Sequence, residues 1–200
     1  MVAKVLRLVS PVRSAPDEAT SVELVKRAQQ GDQAAQALLF RRHFSGTRAL
    51  IFRLVPYDGE LEDLVQDTFV HAMESIGSLR TPEAFSGWLR GIAVRVVRNR
   101  LRRRGLARRL GLAGTEESQL DIAVSREAPP DVGAELIATY RAFRALKVDS
   151  RIILELSRVE GLTNAEVAEA LALSLSTVKR HLASAEVEFK DELNRQARGR

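Results

Sequence analysis

The chain has 200 residues, with 31 Lys and Arg against 26 Asp and Glu, a formal net charge of +5 and no cysteine. Disulfides and thiolate metal sites are therefore excluded, and no apolar run approaches the roughly 20 residues of a membrane span or the unbroken core of a signal peptide. The expectation is a soluble, cytoplasmic protein without membrane insertion, long enough for one large domain or two small ones. The charge is unevenly spread. Residues 21–110 hold sixteen basic and nine acidic side chains, residues 111–135 one and six, and residues 136–200 eleven and nine. Two basic blocks thus flank an acidic bridge, and local patches of this kind govern binding to a polyanion.

In chain order, residues 1–20 lack periodicity and contain Pro11 and Pro16, which predicts a flexible tail. Ser21 to Gln30 is helical in pattern and stops at Gly31-Asp32, where Asp32 can cap the next helix, Gln33 to about Val55. Pro56-Tyr57-Asp58-Gly59 is a turn cluster. A helix from Leu61 to Ile76 follows. Its buried stripe is Leu61, Leu64, Val65, Thr68, Phe69, Ala72, Met73 and Ile76, and its opposite face carries Asp63, Gln66, Asp67, Val70 and Glu74. A solvated polar face is the default for such a pattern; an exposed Val70 among acids and an amide points instead to a docking surface for a basic partner helix.

After a loop at Gly77–Pro82, Pro82 or Glu83 opens a helix with nine arginines and no acid between Leu89 and Leu110. Phe85, Trp88, Leu89, Ile92, Ala93, Val96, Val97 and Leu101 recur at helical spacing, with Trp88 read as core. Arg95, Arg98, Asn99, Arg102 and Arg103 fall on another face. Guanidinium groups suit phosphates and guanine edges. A small polar loop before a cationic helix supplies both parts that single-strand recognition needs, a base pocket and a backbone track. The acidic stretch Thr115–Glu135, with Pro129-Pro130, reads as a linker. Leu136, Tyr140, Phe143 and Leu146 restart a helical face.

Thr163 to Ala185 carries the most specific signal. Thr163-Asn-Ala-Glu166 has the spacing of a capping box. Val167, Ala168 and Leu171 give the inner face of a short helix, Leu171-Ala-Leu-Ser174 a turn, and Val178 and Leu182 the anchors of a second helix. This is a helix-turn-helix, whose second helix places its N-terminal side chains at major-groove base edges: Ser176, Thr177, Lys179, Arg180 and His181. The histidines His43, His71 and His181 are scattered without ligand spacing, with His43 read as a surface or packing residue. No phosphate loop, nucleophile elbow or HExxH occurs. No catalytic residue, cofactor or metal is expected, and the chain does not read as an enzyme.

The fold expected is all-α: two small helical domains joined by a flexible acidic linker, the C-terminal one containing the helix-turn-helix. The divisions are a tail at 1–20, a first domain at 21–108, a linker at 109–134 and a second domain at 135–195.

In sequence order, these features resemble a bacterial RNA polymerase sigma factor of the two-domain, extracytoplasmic-function type. The resemblance covers roughly residues 21–105 and 135–195. It rests on Leu61-Glu-Asp-Leu-Val-Gln-Asp-Thr-Phe69, Phe85-Ser-Gly-Trp88-Leu-Arg-Gly-Ile-Ala93, Glu160-Gly-Leu-Thr-Asn-Ala-Glu-Val-Ala-Glu-Ala-Leu171 and Ser176-Thr-Val-Lys179. It implies that Asp63, Gln66, Asp67 and Val70 bind core RNA polymerase, and that the loop with Ser78, Leu79 and Arg80 captures a flipped base of the −10 element of promoter DNA. It assigns Arg95, Arg98, Asn99, Arg102 and Arg103 to −10 DNA at the melted edge, and Ser176, Thr177, Lys179, Arg180 and His181 to the −35 duplex. The linker would thread through the polymerase. Members are often held inactive by an anti-sigma factor, a partner the resemblance adds.

The chain departs from the family pattern at several positions. Ala172 stands where many members have glycine, and Lys147 replaces a common proline. His181, Ser184 and Glu186 replace frequent arginines, and Arg95 a frequent asparagine. The −35 and −10 preferences therefore cannot be carried over from relatives. The alternative is a stand-alone helix-turn-helix regulator that acts without polymerase docking; residues 61–103 discriminate, since such a regulator has no need of that motif pair.

Overall fold

The computed structural model describes residues 18–55, 59–109 and 130–198, with side chains over 21–55, 59–107 and 137–196. The tail, the Pro56-Tyr57-Asp58 turn and most of the expected linker lie outside the described residues. Among those described, the structure is all-α. In chain order the helices are α1 (Glu18–Gln29), α2 (Gln33–Leu54), α3 (Leu61–Ser75), α4 (Phe85–Arg109), α5 (Pro130–Ala145), α6 (Val148–Arg158), α7 (Asn164–Leu171) and α8 (Leu175–Arg198). Two single 3₁₀ turns, Ile76–Ser78 and Pro82–Ala84, lie between α3 and α4. The chain divides into two compact units within α4, between Val97 and Arg98.

In the N-terminal unit, α1 packs on α2 and α2 on α3. The α1–α2 corner follows from local chemistry. Gly31 takes the positive φ of 87° that ends α1. Asp32 then caps α2, its carboxylate accepting from the N–H groups of Ala34 (2.9 Å) and Ala35 (3.1 Å). The same carboxylate accepts from Arg27 Nε at 2.9 Å. These donors hold the Asp32 carboxyl below its ordinary range, with the Ala35 N–H the largest cause and the Arg27 side chain next. The core holds Val25, Leu39, Ile51, Leu54, Val65, Ala72, Phe85, Ala93 and Val97, all at most 1% exposed. Each large aliphatic among them contributes on the order of 1.5–3 kcal/mol by leaving water. The expected stripe of α3 is buried except Met73, which is half-buried.

In the other unit, α5, α6 and α7 each pack on α8, and α6 on α7. Tyr140, Phe143, Ile152, Ile153, Leu156, Val167, Val178 and Phe189 are buried there. One sequence expectation needs correction. α5 starts at Pro130, inside the stretch assigned to the linker, rather than near Leu136. Proline is pre-organised for a first helical position, so the helix begins before its apolar periodicity does.

Candidate polymerase and promoter interface

α3 has no side-chain cap at Glu60. The acids Glu62 and Asp63 in its first turn oppose the positive end of the helix instead. Its outward face holds Asp63, Gln66, Asp67 and Val70, all exposed, with Val70 at 45%. Glu62 is paired with Arg48 at 2.8 Å. Asp63, Gln66 and Asp67 make no hydrogen bond or ion pair among the described residues. Beneath this face Phe69 packs edge-on against Phe40, with ring centroids 4.6 Å apart, so the helix is held firmly.

The loop after α3 is built from backbone turns. Ser78 Oγ donates to the Ser75 carbonyl (2.7 Å), and the Leu79 N–H to the Ile76 carbonyl (3.1 Å). Gly77, Ser78, Arg80 and Thr81 are exposed, while Leu79 is turned inward at 9% exposure. Among Ser78, Leu79 and Arg80, singled out from sequence, Leu79 is thus an anchor of the loop rather than an outward contact. Apolar character explains the difference.

In α4, Phe85, Leu89, Ile92, Ala93 and Val97 are buried as expected, and Trp88, Val96 and Leu101 are half-buried. Val94, absent from the expected stripe, is fully buried. Trp88 leans on Phe85 with centroids 5.8 Å apart, and His43 packs edge-on against the other side of the core at Phe85 (5.0 Å). Arg95, Asn99, Arg102 and Arg103 are exposed, and Arg98 is half-buried. The arginines are not equivalent. In the C-terminal unit, Arg98 grips Asp149 of α6 with two hydrogen bonds, Nε at 2.7 Å and a terminal nitrogen at 3.0 Å, and Arg102 adds one at 3.3 Å. Burial raises the Asp149 carboxyl's pKa, but Arg98 and Arg102 outweigh it and leave the group below its ordinary range. Sequence reasoning missed Asp149, because 51 and 47 residues separate it from its partners and nothing local signals the pairing.

The helix-turn-helix forms as its spacing predicts. Thr163 Oγ1 accepts from the Glu166 N–H (3.3 Å), while Glu166 accepts from the Thr163 N–H (2.7 Å), completing the capping box. Val167, Ala168 and Leu171 are buried, as are Val178 and Leu182 of α8, on which α7 packs. Ala172 is left-handed, with φ 52° and ψ 45°. Ser174 caps α8, accepting from the Thr177 N–H (3.1 Å), and its hydroxyl also shares hydrogen bonds with those of Ser176 (2.9 Å) and Thr177 (2.8 Å). Sequence reasoning placed Ser174 only in the turn; a serine directly before a helix is the signal that marks it as a cap. Ser176, Lys179 and Arg180 are exposed, and Thr177 and His181 half-buried. With the two hydroxyls tied to Ser174, the outward cations in the first two turns of α8 are Lys179 and Arg180, neither in an ion pair among the described residues. Glu186, farther along α8, is neutralised by Arg158 of α6.

Comparison with known proteins agrees with this geometry. The family model described as "Sigma-70 region 2" matches residues 39–107, and "Sigma-70, region 4" matches residues 136–187. The ECF RNA polymerase sigma-E factor of Salmonella typhimurium is 30% identical over 170 residues, covering 82% of this chain and 88% of the relative. The chain belongs to the extracytoplasmic-function family of RNA polymerase sigma factors. The RNA polymerase sigma-H factor of Pseudomonas aeruginosa is 29% identical, covering 78% of this chain and 85% of the relative. Among solved structures, CnrH in complex with the cytosolic domain of CnrY is similar at a TM-score of 0.60 and 25% identity, over 88% of this chain and 97% of that one. The sigma factor RpoE of Bartonella quintana, in complex with the anti-sigma factor NepR, shares the fold at a TM-score of 0.58, over 78% of this chain and 94% of that one. This sigma factor directs RNA polymerase in transcription initiation, and its family acts as a non-enzymatic initiation factor. The stand-alone regulator is not favoured, because both sigma regions match in order. Among the described residues no helix is long and apolar enough to cross a membrane.

Proposed function

We propose that the outward face of α3, with Asp63, Gln66, Asp67 and Val70, docks the sigma factor on core polymerase. The observation that carries this is a firmly packed helix presenting two carboxylates and an amide without partners among the described residues, around an exposed valine. A basic helix of the polymerase would satisfy the acids while covering Val70. Ser78 and Arg80, on a loop anchored by Leu79, capture a flipped base of the −10 element. Arg95, Arg98, Asn99, Arg102 and Arg103 track the strand at the melted edge, with phosphates replacing Asp149 at Arg98 and Arg102. Ser176, Thr177, Lys179, Arg180 and His181 enter the major groove of the −35 element. The first of the domains that carry these roles spans 21–108; the second opens with α5 at Pro130 and runs to 195, and the acidic linker joins them.

The chain works in the cytoplasm, where its polymerase is, as a binding subunit without catalysis of its own. An anti-sigma factor is a further partner; the sigma factor RpoE of the same fold is solved with the anti-sigma factor NepR, and CnrH with the cytosolic domain of CnrY. Co-elution with core polymerase tests the docking face. Asp63→Arg and Asp67→Arg should each abolish holoenzyme formation while leaving helicity as in the parent chain, with thermal unfolding lowered by only a few degrees where Asp63→Arg loses its charge at the helix N-terminus. Holoenzyme assembled at the parent level by both variants would overturn the assignment.

A further inference from the structure

α1 carries none of the roles described above, yet it packs against both 3₁₀ turns that flank the loop at 77–81. Its last residue, Gln29, is half-buried and makes two long-range hydrogen bonds. The side-chain amide nitrogen donates to the Ile76 carbonyl at 3.0 Å and to the Leu79 carbonyl at 2.7 Å. Those oxygens bracket the exposed Gly77 and Ser78. A primary amide nitrogen has two protons, so one group ties both ends of this short arc. The position of Gln29 is itself fixed. Leu24, Val25 and Ala28 bury the preceding turn of α1, and Gly31 and the Arg27–Asp32 pair set the corner that follows.

We infer that Gln29 is a positioning residue for base selection at the −10 element, clamping residues 76–79 in the shape that admits one base. The inference rests on the assignment of this loop to −10 capture. Gln29 touches no DNA; it acts through Ser78 and Arg80, which lie between and beside the two carbonyls it holds. A loop set before binding loses less conformational freedom when the base enters, and it rejects bases that would need another loop shape. Without the clamp the arc between Ile76 and Leu79 keeps only its own turn bonds, and several loop shapes become accessible.

The test uses holoenzyme from the full chain and core polymerase, presented with a fork-junction DNA pool randomised at six unpaired bases. Sequencing the bound fraction gives the preference at each unpaired position. Gln29→Met removes both donors and keeps the side-chain length; Gln29→Glu keeps the shape and supplies acceptors only. Both variants should lose about tenfold in preference at one unpaired position, the effect of removing two ordinary hydrogen bonds, with holoenzyme yield unchanged and thermal unfolding lowered by only several degrees. Either variant that assembles and selects bases as the parent does would overturn the inference, and Gln29→Glu decides it if Gln29→Met does not fold. Ser78→Ala and Arg80→Ala separate the two levels of the argument. If these leave the preference intact, the capture role of the loop is wrong; if they flatten it and the Gln29 variants do not, only the clamp is wrong.

Discussion

Ala172 holds a left-handed backbone, φ 52° and ψ 45°, at the turn between α7 and α8. There a Cβ crowds the following carbonyl, a strain that glycine lacks. The turn forms nevertheless, because the Leu173 N–H reaches the Ala168 carbonyl (2.9 Å) and buried neighbours on both helices hold it. Ala172→Gly should raise stability by roughly 0.5–1 kcal/mol, the relief of strain less the added freedom of the unfolded chain; urea denaturation measures it. This site was legible, since the helix-turn-helix spacing marks the residue that must turn. His43 was legible only as a packing or surface residue. Burial first, then Arg42 and Arg90, lower its pKa to about 4, and its buried Nε2 has no hydrogen-bond partner among the described residues. The unfolded chain therefore binds a proton near pH 6.5 that the folded chain refuses until about pH 4. Stability is full above pH 6.5 and falls through that window on acidification, by about 2 kcal/mol since the ring still partly meets water. The Asp32 and Asp149 carboxyls, held low, lose their contributions only on further acidification. His43→Phe should flatten the decline between pH 6.5 and 4 in denaturation series.

Helix by helix, legibility followed periodicity. α3 and the helix-turn-helix were readable nearly residue by residue, because one apolar stripe faces one core and the caps are local. α4 was less so. Val94 is absent from the expected stripe although it stands three residues before Val97, and it is fully buried. The loop after α3 hid its anchor, as Leu79 sits among small polar residues and only the fold shows that it turns inward. Long-range polar pairing was not legible at all, neither Arg98 with Asp149 nor Gln29 with the 76–79 arc, because no sequence spacing encodes it. In α8 the cations facing outward near the N-terminus reduce to Lys179 and Arg180, with Arg158 neutralising Glu186. Each phosphate contact therefore weighs heavily. Arg180→Ala should lower affinity for −35 duplex and reduce the slope of log affinity against log salt by about 1. An unchanged slope would remove Arg180 from the phosphate contacts.

Across the whole molecule, the charge blocks read from sequence match the tasks proposed for them. Acids without partners lie on α3, arginines dominate α4, and a sparse cationic set opens α8. The two DNA contacts proposed on one chain would gain from effective concentration, because engaging one promoter element makes the second nearly intramolecular. That the chain forms two helical domains was legible because helical periodicity stops and restarts across an acidic stretch; that the second compact unit takes in the end of α4 from Arg98 was not, since nothing interrupts the periodicity there. The start of α5 at Pro130 was not, since its first turn carries no apolar repeat. The most direct test of the central claim is run-off transcription with the purified chain, sigma-free bacterial core polymerase and fragmented genomic DNA of the encoding organism. The account predicts discrete transcripts that require the chain and whose start sites share two upstream elements. DNA binding without such transcripts, and without co-elution with core polymerase, would contradict it.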